Sequence, residues 1–431
     1  MSATARTIGY WGSVATLVGY VIGASIFVLP AQLLPDTGPA VFLSYLLAGI
    51  PAVFTCVAGA VVGNALPVTG ASYVAVRRCV SPFAGFSAAW LITVAAALGL
   101  ALVAYGFADY ARYFVPSLDA RWTALAVVAL FGVVNLTRVS LTVAVQGVMV
   151  IVFLTVIVAF AAGGLVRGDW SRLTPLLPNG FAPVATGALA AYFSFAGLQV
   201  LIDIGGEIRD PARTIPRALA TSFAVIFVVY VAFVLSLALV LPWEDVGSAT
   251  AAAGRAAAII FPGWFATAVV VSALLAAVTS INGVLFTQAR DIQALAADGY
   301  IPAALAARSE ATGVPGRAVV ALTALAMLAV SRGASVRDYA VTTAMCMMAV
   351  QALLGAATWR LPRALPEAWR ASPFRLSLGA HRFFSGGLVV VSLVFFTVGV
   401  LQSRSNALAF AALWGVGGVY YAGRRTVRRP A

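Results

Sequence analysis

The sequence predicts an all-α integral membrane protein of twelve transmembrane helices. Of its 431 residues, 62% are hydrophobic and only 10% are charged, whereas a soluble domain is about one quarter charged. Apolar stretches of roughly 20 residues, the length that crosses a bilayer, recur along the whole chain. The basic residues, all 27 of them arginine, gather in alternate linkers, as they do in loops kept on the cytoplasmic side. The composition excludes a soluble enzyme. The net charge of +13 reads as loop arginine, not as a nucleic-acid surface.

The first span, 10–33, is too long for a signal peptide and lacks a small-residue cleavage pattern. Spans at 39–65, 83–114, 121–137 and 141–166 follow. A polar linker, VRGDWSRLTPLLPNG (166–180), separates these five from spans at 183–203, 216–241, 262–296, 317–333 and 337–359. A second linker, LPRALPEAWRASPFRLSLG (361–379), precedes the last two, 382–402 and 406–423, and a basic tail. The chain thus divides at 1–180, 181–360 and 361–431. Placing both termini in the cytoplasm puts most arginines inside, among them Arg77, Arg78, Arg209, Arg213, Arg217, Arg360, Arg363, Arg370, Arg375 and Arg382. A multi-pass protein of the cell membrane is expected, with the bilayer as its first partner. The sequence carries no signature of oligomeric state.

Two spans are interrupted. The first contains GYVIGASIFVLP (19–30), with Gly19, Gly23, Ala24 and Ser25 at mid-depth and Pro30 beyond them. The sixth contains AYFSFAGLQVLIDIGGE (191–207), where Ser194, Ala196 and Gly197 fall at the same depth. Small residues of this kind also serve close helix packing. Paired interruptions at corresponding positions of two halves, however, point to a transporter's binding site. A half-helix starting at Ser25 presents unpaired N–H groups and a positive dipole end, which suit a carboxylate. The half-helix ending near Ile22–Gly23 presents carbonyls, which suit an ammonium or a cation. Carboxylate beside ammonium is the backbone of an α-amino acid.

With these stretches the sequence resembles the amino acid–polyamine–organocation (APC) permeases. GYVIGASIFVLP is similar to their first-helix motif. NALPVTGASYVAVRRCVSPFAGF (64–86) resembles their loop after helix 2, with the amphipathic ASYVAVRR (71–78) in the cytoplasm. FSFAGLQVLIDIGGEIRDPARTIPRAL (193–219) resembles their helix 6 and its following loop, and SINGVLFTQARDIQALAADGYIP (280–302) their helix 8 exit. The resemblance implies a 5+5 inverted-repeat core with discontinuous helices 1 and 6, plus two C-terminal helices. It implies a substrate site in which Gly23, Ala24, Ser25 and Ile26 hold the carboxylate. Carbonyls of Val21 and Ile22, and of Ser194 to Ala196 near Gly197, take the ammonium. Phe195 falls where the family often places an aromatic lid, and is otherwise a core residue.

The sequence departs from the family in two places. Ser25 replaces the usual glycine, which narrows the site or adds a hydroxyl donor. Phe153, seven residues after Gln146, replaces the lysine many members carry in helix 5, and the chain has no lysine at all. Helix 8 offers another occupant for that space. Thr279 and Ser280 in AAVTSIN (276–282) resemble the cation site of sodium-coupled members of the fold. Sodium would be held by their hydroxyls with carbonyls of Gly19, Ile22 and Ala276. Alternatively, the hydroxyls bond back to the carbonyl one turn earlier, as is common in membrane helices.

Intramembrane acids are functional candidates. Asp203 and Glu207, one turn apart, are read as proton-linked or gating carboxylates, or as ion-paired residues steadying the inner mouth. The middle of helix 3, TVAAALGLAL (93–102), is small and apolar, and helix 10 supplies VTTAMCMMAV (341–350). These walls favour a neutral, small to medium amino acid. One histidine, His381, and three cysteines without ligand spacing, Cys56, Cys79 and Cys346, give no metal cluster. A chain without lysine has no phosphate-loop motif. The expected function is a secondary active transporter and not an enzyme, with no cofactor beyond sodium or a proton as coupling ion. Transport of polyamines or other organic amines is the alternative, and a channel is the reading from another class.

Overall fold

The computed structural model describes residues 8–68, 70–137, 143–203, 208–248, 251–309 and 313–427. Among these the chain is helical throughout, with no strand beyond an isolated bridge between Ile8 and Ile208. In chain order, α1 (Tyr10–Val21) and α2 (Ser25–Thr37) form the first interrupted span, and α3 (Val41–Ala65) returns beside them. The short α4 (Ala71–Cys79) leads into α5 (Pro82–Ala111), α6 (Ala120–Leu136) and α7 (Val143–Arg167). The second interrupted span comprises α8 (Ala182–Tyr192), a 3₁₀ stretch (Phe193–Gln199) and α9 (Val200–Asp203). Then come α10 (Pro211–Val240), α11 (Ala252–Ile260), α12 (Gly263–Ala297), α13 (Gly316–Ser331) and α14 (Val336–Ala364). After α15 (Pro366–Ala371), the last two are α16 (Leu378–Gln402) and α17 (Arg404–Val427).

The starts of these helices are written locally. Ser81, Asp119, Ser335 and Ser377 each accept a backbone N–H of the first turn on their side-chain oxygen, the usual capping chemistry. Pro82 follows its cap at the first helical position, where a missing N–H costs nothing. Prolines further in are carried through: α2 runs across Pro30 and Pro35, and α3 across Pro51. At Pro30 the missing N–H frees the carbonyl of Ile26 from its usual partner.

Seven helical stretches are long and apolar enough to cross a membrane: 25–65, 82–111, 147–167, 211–240, 263–297, 336–364 and 378–402. Two shorter apolar helices, Ala120–Leu136 and Gly316–Ser331, add to them. The breaks cut the first and sixth interrupted stretches below spanning length, and α2 runs into α3 through a single 3₁₀ turn, Gly38–Ala40.

The interrupted spans sit in the core. α1 packs on α10, α8 lies on α3, and α5 lies against α12 and α14. α16 covers α14 and α17 flanks α5. The peripheral helices keep apolar side chains exposed, for example Leu401, Leu408, Val416 and Val419, as a lipid-facing surface requires. Cys56, Cys79 and Cys346 are free and buried.

Candidate functional site

Helix 1 breaks where its small residues lie. The last turn of α1 closes with the Ile22 N–H on the Val18 carbonyl, and Ile22 then leaves helical geometry at ψ 86°. The Gly23 N–H turns back onto the Val21 carbonyl at 2.9 Å. α2 restarts at Ser25 without a side-chain cap, so its first N–H groups face the junction. Gly23 allows a close approach here: a Cβ would collide with the Ser280 Oγ of α12 as that hydroxyl is placed.

The sixth span answers it with seven residues of 3₁₀ helix, Phe193–Gln199. Runs longer than three or four residues are uncommon and often mark hinges. The two interruptions face each other, since a Cβ on Gly197 would lie 2.8 Å from the Tyr20 ring and 3.0 Å from Val21.

One side chain ties the breaks together. The Tyr230 hydroxyl of α10 lies 2.7 Å from the Val21 carbonyl oxygen and 3.1 Å from that of Ser194. It also lies beside the Ser25 side chain. Tyr45 of α3 meets Tyr230 edge-on at 6.0 Å and approaches Ser194. A phenol has one proton and cannot satisfy two carbonyls at once. The pair therefore retains acceptor capacity for a further donor.

The sequence-predicted residues come together in part. Val21, Ile22, Gly23, Ala24, Ser25, Ile26, Ser194 and Phe195 are buried, whereas Ala196, Gly197, Gly19, Tyr20 and Ser280 are partly exposed. The 3₁₀ winding divides the two aromatics of helix 6. Phe195 turns into an aromatic cluster on α10, with ring centroids 5.3 Å from Tyr230 and 6.4 Å from Phe223. Phe193 instead reaches the small middle of α5, where a Cβ on Gly99 would lie 3.0 Å from its ring. Phe153 is fully buried.

Of the residues resembling a cation site, Thr279 donates its hydroxyl to the Ala276 carbonyl at 2.9 Å. Gly19 packs against Val150, with a Cβ position 2.9 Å from it. Gly23 is a glycine whose added Cβ would meet Ser280. Asp203 closes α9, but its carboxylate, like the whole of Glu207, lies outside the described residues.

Ion pairs tie each end of the bundle. At the end bearing α4, Arg77 meets Asp298, just beyond α12, at 2.8 Å, and Tyr73 donates to the same oxygen at 3.1 Å. Burial raises the Tyr73 phenol above its usual range, so it stays a donor at neutral pH. At the opposite end Arg337 of α14 pairs with Asp36 of α2. Tyr230, Tyr45, Phe193 and these pairs carry no local sequence signal, because their partners lie far off along the chain.

Comparison with known proteins agrees with this geometry. Residues 8–421 match the family described as amino acid permease. An uncharacterized transporter of Mycobacterium tuberculosis is 28% identical over 76% of this chain and 75% of its own length. A probable GABA permease of Pseudomonas aeruginosa is 30% identical over 72% of this chain and 68% of its own. A branched-chain amino acid permease of Bacillus subtilis is 23% identical, covering 70% and 69%. Two broken helices joined back to back, and a family match running nearly end to end, lead to one conclusion: the chain is an amino acid permease of the APC superfamily.

Proposed function

We propose that this permease is a secondary active transporter of neutral, small to medium α-amino acids, working by alternating access. The observation that carries the reading is the facing of the two helix breaks across Val21, Gly197 and Tyr230. The substrate carboxylate takes the uncapped start of α2 at Gly23, Ala24, Ser25 and Ile26. Its ammonium shares the carbonyls of Val21 and Ser194 with Tyr230. Phe193 and the small middle of α5 form the side-chain wall. The relatives' names span GABA and branched-chain amino acids, and a cationic amino acid transporter of Arabidopsis thaliana is also similar. Family membership therefore leaves the choice of substrate to the wall, which offers no acid to a cationic side chain.

The reading includes twelve spans, with 1–180 and 181–360 as inverted repeats and 361–431 as an appended pair of helices. With both termini cytoplasmic, the Arg77–Asp298 pair is an inner tie and the Asp36–Arg337 pair an outer one. The partial exposure of Tyr20, Gly197 and Ser280 beside buried Ser25 and Ile26 favours a state opening toward the inner side.

Sodium is the coupling ion this reading favours over a proton, on the contact between Gly23 and Ser280. That contact places the hydroxyl of Ser280 beside Gly23 at the helix 1 break. Neutral oxygens suit a hard monovalent cation, by analogy with harder ions.

Reconstitution into liposomes tests both parts. Uptake of L-alanine and L-leucine is expected above that of L-arginine or putrescine, and replacing sodium with choline is expected to lower it. Failure to move any of the twenty amino acids overturns the function. Undiminished accumulation in choline overturns sodium coupling alone.

A further inference from the structure

The last helix, α17, lies at the edge of the bundle and exposes Leu408, Val416 and Val419. Its C-terminal end is different, because two adjacent tyrosines pack onto the bundle there. Consecutive residues of an α-helix point about 100° apart, so Tyr420 and Tyr421 meet different partners. The Tyr420 ring lies nearly parallel to Trp90 of α5, with centroids 6.5 Å apart. The Tyr421 ring lies nearly parallel to Tyr300, at 6.3 Å. Both tyrosines touch the buried Phe86 of α5. These separations fall within the roughly 4.5–7 Å at which aromatic rings attract one another.

Trp90 fixes α17 on α5. Its indole N–H donates to the Leu413 carbonyl at 2.9 Å. Gly417, one turn before Tyr421, lets the indole approach, since a Cβ there would come within 2.6 Å of the ring nitrogen. Tyr421 is thereby held at a set place.

Tyr300 stands across the contact, in the turn that ends α12. Gly299 takes a φ of 79°, a conformation that favours glycine. Its N–H bonds the Ala296 carbonyl and the N–H of Tyr300 bonds that of Leu295, both at 3.0 Å. With this double closure, Asp298 and Tyr300 leave one compact turn. The Asp298 carboxylate accepts from Arg77 and Tyr73 of α4, and the Tyr300 ring meets Tyr73 edge-on at 6.2 Å. A path of contacts therefore runs from Tyr421 to the Arg77–Asp298 pair. Half-exposed charges hold two segments together only weakly, so the placement of this turn decides whether they meet.

We propose that α17 is part of the transport machinery: Tyr421 holds the Tyr300 ring in place and so keeps the Asp298 carboxylate on Arg77. It is a positioning residue, acting through Tyr300 and not on the substrate. The inference rests on the transport reading, which makes that ion pair the inner tie. α17 is the brace against which α4 closes, and loss of the Tyr421 ring lets the turn shift and the tie open.

The test needs no substrate. Cys79 ends α4, two residues from Arg77, and is buried. Its reaction with a hydrophilic maleimide in the full-length protein reports how often α4 lifts. Mass spectrometry of the labelled peptides separates it from Cys56 and Cys346. Tyr421→Ala is expected to speed Cys79 labelling about two- to tenfold, the factor to which loss of one aromatic pair converts. Tyr300→Leu should do the same from the other side of the contact, and serves if the first variant misfolds. Tyr421→Phe, which keeps the ring, should label at the wild-type rate. In an Arg77→Gln background, where labelling is already fast, Tyr421→Ala should add little, because the tie it acts on is gone.

Unchanged labelling in Tyr421→Ala and Tyr300→Leu overturns the proposal. So do equal effects of Tyr421→Phe and Tyr421→Ala, or full multiplication of the two effects in the double variant, which marks a general loosening. Uptake by the same proteins in liposomes separates the two hypotheses. Faster labelling in a protein that moves no amino acid keeps the contact path and overturns the transport reading. Uptake and labelling both at the wild-type rate in Tyr421→Ala remove the brace and leave that reading intact.

Discussion

The hydroxyl of Tyr230 lies 2.7 Å from the carbonyl oxygen of Val21, and so a residue of the seventh span holds the frayed end of the first. The same hydroxyl reaches Ser194. Tyr230→Phe removes the donor and leaves both carbonyls buried without it, at a cost of about 1–3 kcal/mol. The variant is expected to fold with a lowered thermal midpoint and to lose most of its uptake. Unchanged uptake in liposomes rules out a part for this hydroxyl in the ammonium site.

A methyl group at Gly23 collides with the Ser280 Oγ and is accommodated only if Ser280 turns its hydroxyl away from the break. Gly23→Ala is expected to abolish uptake while leaving the protein extractable and monodisperse. Ser280→Ala removes the colliding oxygen, so the double variant should recover part of the activity. A double-mutant cycle in which the two effects simply add shows that the contact is unimportant.

The aromatics two residues apart in the 3₁₀ stretch should behave differently. Phe195 is buried against α10, and truncating such a ring costs about 3–5 kcal/mol. Phe195→Ala is therefore expected to lower thermal stability sharply. Phe193→Ala, at the edge facing Gly99, should raise KM and relax the preference between L-alanine and L-leucine with a smaller loss of stability. Competition assays and melting curves on the same preparations decide between them.

The pair of Arg77 and Asp298 is also partly exposed, with side-chain exposures of 30% and 40%. Breaking it is worth only about 0–1 kcal/mol to the fold. Arg77→Gln and Asp298→Asn should each alter transport rate more than melting temperature. The exchanged variant, Arg77→Asp with Asp298→Arg, should restore the rate. Equal rates in all four proteins remove the pair from the transport cycle.

The helix 1 break was legible because its cause is local. Glycine and small residues in a hydrophobic run weaken a helix wherever it lies, and Gly23 sits at the junction itself. The helix 6 break was legible in place but not in form. A 3₁₀ turn advances side chains by about 120° per residue instead of 100°, so sequence alone did not show that Phe195 would meet the α10 aromatics while Phe193 reaches Gly99. Tyr230, Tyr45 and the two end pairs were invisible, because they join positions 36–301 residues apart, and no periodicity encodes a meeting of that kind. Thr279 illustrates the third case: its sequence allowed a cation ligand or a back-bonded hydroxyl, and the structure shows the hydroxyl donating to the Ala276 carbonyl, which still leaves its oxygen lone pairs for a cation.

The small bridge at the N-terminus has a mechanical meaning. Arg209 gives its N–H to the carbonyl of Ile8 at 2.8 Å, which staples the segment entering the first span to the segment leaving the sixth. One backbone hydrogen bond is worth about 0.5–1.5 kcal/mol, so any movement of one of these segments away from the other must first break it.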